Sequence, residues 1–130
     1  MPFTAIRTAS FSETDASGRV HFTQILKWIE DAEHQFLESA GVPVFTAEGG
    51  WPRVSIKCDY KAPLEFGEEV SVILILSKIG ESSLNWEFRI EKAGHNIAAE
   101  GSMVTVYVAG SRSSSFPTTI RDLLKIASAE

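Results

Sequence analysis

Asp15 lies in the polar stretch Ser12-Glu13-Thr14-Asp15-Ala16-Ser17-Gly18-Arg19, seven residues before Phe22, where an apolar period of three and four residues begins. A carboxylate there would stand near a helix start, whose first backbone N–H groups have no partner inside the helix. Those groups, with the helix dipole, stabilise negative charge. A carboxylate beside them is a workable pair for acyl transfer. It attacks a carbonyl or activates water, while the N–H groups hold the oxyanion that develops. Gly18 lets the backbone approach a ligand or take a positive φ. Residue types alone leave a second reading open, in which Asp15 only caps a turn that Gly18 permits.

Other reactive side chains offer less. His21, next to the helix start, could bond substrate or tune Asp15, or be an ordinary polar loop residue. His34 and Glu30 are an i,i+4 pair that suits a surface contact. Glu30, two turns into the helix, suits a structural role better than catalysis, since an acid on a buried face needs a partner. No His-x-x-x-His or Cys-pair spacing occurs, so no metal site is expected. Cys58 alternates with apolar residues and reads as core. Trp28, Trp51 and Trp86 read as packing residues. Ser113-Ser114-Ser115 sits in no Gly-x-Ser-x-Gly elbow, and no glycine-rich phosphate loop is present.

The elements that must position Asp15 follow from periodicity. Residues 4–11 suit a first strand. Phe22, Ile25, Leu26, Ile29, Ala32, Phe36, Leu37 and Ala40 mark a long helix, Trp28 widens its apolar surface, and Gly41 with Pro43 stops it. Residues 42–52 read as a loop. Val54, Ile56, Cys58 and Tyr60 alternate with polar residues, which predicts a strand with one buried face. Val70 to Ser77 is a strand apolar on both faces. Leu84 to Ile90 and Ile97 to about Ala109 complete a meander, and Ser111 to Ser115 reads as a polar linker. Pro117 to Ala127 suits a short helix with Ile120, Leu123, Leu124 and Ala127 on one face. The expected architecture is α+β: a curved antiparallel five-stranded sheet wrapped around a central long helix, plus a short C-terminal helix. A helix lying flat on a sheet fits the same periodicity.

The 130 residues suit one domain, 1–130. Hydrophobic residues at 44% and charged residues at 22% argue against disorder. Twelve Lys and Arg against seventeen Asp and Glu give a net charge of -5, which disfavours nucleic acid as a partner. A lone cysteine excludes an intrachain disulfide. No apolar run is long enough for a membrane span or a signal peptide, so a soluble, cytoplasmic domain is expected.

The segment Glu13-Thr14-Asp15-Ala16-Ser17-Gly18-Arg19-Val20-His21-Phe22, running into Ile25-Leu26-Lys27-Trp28-Ile29-Glu30, resembles the 4-hydroxybenzoyl-CoA thioesterase family of hotdog-fold proteins. Tyr60-Lys61-Ala62-Pro63-Leu64-Glu65-Phe66-Gly67-Glu68-Glu69-Val70 looks like that family's second-strand exit, and Lys78-Ile79-Gly80-Glu81-Ser82-Ser83-Leu84 like its next hairpin. The likeness covers roughly residues 4–110. It implies hydrolysis of an acyl-CoA thioester to free acid and CoA, with no cofactor beyond the CoA of the substrate. Carried over by position, Asp15 is the catalytic aspartate, as nucleophile or general base. Gly18 is the loop glycine, and Phe22 offers the backbone N–H that polarises the thioester carbonyl. Val20 and His21 flank it in the substrate site. His21 and Phe22 depart from the residue types common there, and no dense basic cluster exists for the CoA nucleotide.

Tyr60, Lys61, Ser82 and Ser83 are candidates for the CoA groove. The stretch Glu13 to Ala16 with His21-Phe22 also resembles thioesterases that release 1,4-dihydroxy-2-naphthoate. The resemblance further implies a homodimer whose sheets join, often paired into a homotetramer, with the Asp15 loop at the subunit boundary. Exposed strand edges favour such pairing. The competing function is a non-catalytic acyl-thioester-binding or assembly module on the same fold.

Overall fold

A computed structural model of the chain describes residues 2–46, 49–110 and 112–129. The elements run β1 (Phe3–Thr8), α1 (Phe22–Ser39), β2 (Gly49–Gly50), β3 (Arg53–Tyr60), β4 (Glu69–Ile79), β5 (Ser83–Lys92), β6 (Asn96–Val106), β7 (Val108–Ala109), β8 (Arg112–Ser113) and α2 (Thr118–Ala129). Five strands form one antiparallel sheet in the order β1-β4-β5-β6-β3. The fold is the expected α+β hotdog arrangement.

The sheet's inner face packs on α1 because both carry their apolar residues at the right period. From α1, Ile25, Trp28, Ile29, Ala32, Phe36 and Leu37 are buried. They join Val72 and Leu74 of β4, Leu84, Trp86, Phe88 and Ile90 of β5, and Ala99 and Met103 of β6. The Phe36 ring meets Phe3 of β1 and Trp86 of β5 edge-on, at centroid distances of 5.7 and 5.5 Å. The Trp86 indole N–H is satisfied by the buried Thr105 hydroxyl at 3.0 Å. Beyond α1, Gly41 takes φ +80°, and Gly41 and Val42 N–H groups return to Glu38 and Leu37 carbonyls, closing the helix as Gly41-Pro43 predicts. From α2, Leu124 is fully buried, with Ile120 and Ala127 packed beside it, whereas Leu123 stays partly exposed.

Several local expectations change. The first strand ends at Thr8, and Phe11–Glu13 forms a 3-10 turn that opens the loop. The long last strand splits at Tyr107 into β6 and β7. Gly49–Gly50 and Arg112–Ser113, read as loop and linker, are the strands β2 and β8 that flank β7 in a small second sheet. Ser111 lies outside the described residues.

The larger correction is β3. Val54, Ile56 and Tyr60 are 60%, 40% and 45% exposed, and Cys58 is only half-buried. Alternation marks an amphipathic strand, but β3 is a sheet edge, and among the described residues no further strand pairs with it. Phe22 and Leu26 of α1 are likewise outside the core.

Gly101 is a close-approach site. A Cβ there would overlap the Lys57 carbonyl of β3 and press on the Phe88 ring. Gly101→Ala is therefore expected to destabilise the fold by about 1–3 kcal/mol. Urea unfolding measures this, and an unchanged midpoint would contradict the packing.

Candidate active site

The loop between β1 and α1 is a miniature hairpin. Thr14 and Val20 pair as an antiparallel bridge, and the Asp15 N–H donates to the Arg19 carbonyl at 2.8 Å. The turn closes through the Gly18 N–H to the Asp15 carbonyl at 3.0 Å. Gly18 has φ +83°, and nothing lies within 4 Å of a Cβ placed there, so conformation rather than space demands glycine. Val20 is buried, and its N–H donates to Leu64 at 2.7 Å, tying the loop to the segment after β3.

The Asp15 side chain is exposed. Its Oδ1 accepts from the Ser17 hydroxyl at 2.5 Å and the Ser17 N–H at 2.8 Å. The Ser17 hydroxyl, then the Ser17 N–H, hold the Asp15 carboxyl below its ordinary value, so it stays ionised at neutral pH. Ser17 is thus a partner of Asp15 that residue types alone do not mark as functional. The signal was there, since Asp followed two residues later by a polar donor is an Asx-turn pattern.

At the helix start three N–H groups have acceptors. His21 donates its N–H to the Glu13 carbonyl at 2.9 Å, Thr23 to the His21 ring Nδ1 at 3.2 Å, and Gln24 to the His21 carbonyl at 2.9 Å. Among the described residues the Phe22 N–H has no protein acceptor. His21 is therefore the helix cap, with its ring stacked on Phe22 at 4.8 Å.

The Phe22 side chain is 55% exposed and meets Tyr60 edge-on at 6.0 Å. The Tyr60 hydroxyl donates to the Phe22 carbonyl at 3.2 Å, which fastens the end of β3 to the helix start. Burial, then the neighbouring Cys58, push the Tyr60 phenol up to about 12, so it remains a donor. Burial likewise raises the Cys58 thiol, which matches an unreactive cysteine.

Asp15, Val20, Phe22, Tyr60 and Lys61 line one cleft of about 450 Å³, together with Ser17, Arg19, Ile25, Ala62, Pro63 and Leu64. That volume suits a small-molecule acyl group. Gly18 shapes the loop and His21 caps the helix, and neither lines the cleft. Lys61 is paired with Glu100 at 3.3 Å. Ser82 and Ser83 are not brought to this cleft within one chain. Ser83 pairs with Val106 and Tyr60 with Ala99, at opposite ends of β6, so about 23 Å of strand separates them.

Residues 9–124 match the model of the thioesterase-like superfamily. The chain belongs to that superfamily. Among members of this family, a 1,4-dihydroxy-2-naphthoyl-CoA hydrolase of Prochlorococcus marinus (strain NATL2A) is 31% identical over 104 residues, covering 72% of this chain and 67% of the relative. A gentisyl-coenzyme A thioesterase of known structure superposes with a TM-score of 0.84 at 27% identity, covering 92% of this chain and 98% of that one. A 1,4-dihydroxy-2-naphthoyl-CoA thioesterase from Synechocystis shares the fold at a TM-score of 0.87 and 20% identity, covering 100% and 97% of the two chains.

Proposed function

We propose that this acyl-CoA thioesterase hydrolyses an aromatic acyl-CoA in the Asp15 cleft. The observation that carries the reading is one cleft lined by an ionised, exposed carboxylate and by Phe22, the helix-start residue whose N–H has no acceptor among the described residues. The thioester carbonyl oxygen takes the Phe22 N–H, which strengthens as negative charge develops on that oxygen. Asp15 lies on the carbonyl's other side. As nucleophile it forms an acyl anhydride and expels CoA thiolate, and water then releases the acid. As general base it takes a proton from water, which attacks the same carbon; the C–S bond then breaks, and the departing CoA thiolate takes up that proton. Both routes need Asp15 ionised, a state that the Ser17 donors favour.

An aromatic acyl group is favoured by the Phe22 and Tyr60 rings and by apolar Ile25, Pro63 and Leu64 in the cleft. The dihydroxynaphthoyl and gentisyl substrates in the names of two relatives agree with that choice. Thiol release from benzoyl-type, naphthoyl-type and aliphatic acyl-CoAs tests it. The highest kcat/KM is expected on a hydroxylated aryl thioester. Thermal stabilisation by these ligands without thiol release would favour the non-catalytic binding module instead.

The working unit in this reading is at least a homodimer, in which a second copy covers β3. Antiparallel pairing of β3 with its own copy across a two-fold axis is self-complementary. It lays the Tyr60 end of one strand beside the Arg53 end of the other. The turn holding Ser82 and Ser83 lies at the Arg53 end of the sheet, because Leu84 and Arg53 both pair with Thr105. The partner's turn would thus approach this chain's cleft, where it could line the pantetheine groove opposite Tyr60 and Lys61. Ile56→Glu, on the exposed edge, is expected to give a monomer by light scattering at micromolar concentration and to lower kcat/KM. A dimeric, fully active variant would contradict this assembly.

A further inference from the structure

The Glu13 side chain ties the loop to both β1 and α1. Its Oε2 accepts from the Trp28 indole N–H of α1 at 2.7 Å and from Arg7 of β1 at 3.1 Å. Its Oε1 accepts from the Ser10 N–H at 2.9 Å. Arg7 in turn reaches Asp31 of α1 at 3.2 Å, and its guanidinium lies 5.1 Å from the Trp28 ring centroid. The Glu13 side chain is 12% exposed. Burial opposes its charge, but the Trp28, Ser10 and Arg7 donors outweigh burial and hold the carboxyl below its ordinary value. The backbone of the same residue takes the His21 N–H, one residue before Phe22.

Two residues along the chain from Glu13 stands Asp15. Six residues before Trp28, on the same rigid helix, stands Phe22. A bond from Glu13 to Trp28 therefore couples the loop that carries the carboxylate to the helix that carries the open N–H. We propose that Glu13 is a positioning residue, which sets Asp15 against the Phe22 N–H by clamping the loop stem to α1 through Trp28. This rests on the reading of Asp15 and Phe22 given above. Glu13 does not line the cleft and touches no substrate. Its effect is on the alignment of the two groups that do, and a misplacement near 1 Å costs on the order of a hundredfold in rate.

The test compares Glu13→Gln, Trp28→Phe and Asp15→Asn with the wild-type protein on its best acyl-CoA. Glu13→Gln keeps the size of the side chain but sets an amide N–H₂ against donors. Trp28→Phe removes the indole N–H and leaves Glu13 its other partners. Both variants are expected to lose kcat by roughly ten- to a hundredfold. KM and the affinity for a non-hydrolysable thioether analogue should stay within about threefold. If Glu13→Gln fails to fold, Trp28→Phe decides alone. A kcat within about twofold of wild type, or a loss that only tracks the folded fraction, overturns the proposal. An inactive Asp15→Asn beside a fully active Glu13→Gln overturns the role of Glu13 alone. An active Asp15→Asn overturns the underlying reading and this proposal with it.

Discussion

Asp15→Asn is expected to lower kcat for thioester hydrolysis by about a thousandfold or more, which is roughly 4 kcal/mol of barrier. The amide is neither a nucleophile nor a base at neutral pH. It keeps the shape of the carboxylate, and its oxygen can still accept from the Ser17 N–H and hydroxyl, so the Asx turn survives. Asp15 is exposed and packs on nothing in the core, so the unfolding midpoint should be unchanged. Steady-state thiol release and thermal unfolding of the same preparation check both halves. Near-normal turnover by a well-folded variant would remove Asp15 from the mechanism.

The second large effect falls on stability, at Arg53. Glu33 of α1 is 1% exposed, and its carboxylate pairs with the Arg53 guanidinium. Arg53 also reaches Glu30 at 3.3 Å and the Met103 sulfur at 3.3 Å, so β3 is fastened to the helix at this end by one side chain. At alkaline pH, where Glu33 is ionised, Arg53→Met leaves a buried carboxylate without its cation. The expected loss is about 3–5 kcal/mol. For a domain of this size that lowers Tm by about 10–20 °C.

Proton uptake limits that loss at acid pH. Burial, opposed by Arg53, pushes the Glu33 carboxyl from 4.5 up to about 7. A carboxyl whose folded pKa is raised favours the folded state fully below the unfolded value, and that contribution fades as pH rises through the folded one. Glu33 should therefore make the protein less stable on going from pH 4.5 to pH 7, and Arg53→Met should lose more at pH 8 than at pH 5. Glu33→Gln should flatten this slope. Urea denaturation across that range decides, and an unchanged slope in Glu33→Gln would contradict the assignment.

Glu33 shows why part of this molecule was not legible in the sequence. It stands four residues after Ile29 and three before Phe36, hence on the apolar face of α1. That position marks it as buried. Its partner is Arg53, twenty residues on, and no period or spacing connects the two. The helix itself was legible because its apolar residues repeat and Gly41 ends it. The Asp15 loop was legible because its residue types are conformationally special. Strand β3 misled because alternation reports which face is apolar and not what covers it. Ser82 and Ser83 fell outside the single-chain cleft for a related reason: a hairpin can be read locally, but the end of the sheet it reaches is set by register. The clamp at Glu13 was hidden for the same cause as Glu33, since Arg7, Ser10 and Trp28 meet it only after β1, the loop and α1 have packed.

A crystal structure of the protein with a non-hydrolysable ketone analogue of an aromatic acyl-CoA tests whether the thioester sits between Asp15 and the Phe22 N–H. The analogue's carbonyl oxygen is expected about 3 Å from the Phe22 backbone nitrogen, with the Asp15 carboxylate facing the carbonyl carbon from the other side. The acyl ring should lie against Phe22 and Tyr60, and the pantetheine arm should run out between two subunits. Acyl density remote from Asp15, or a ligand held wholly inside one subunit, would contradict this placement.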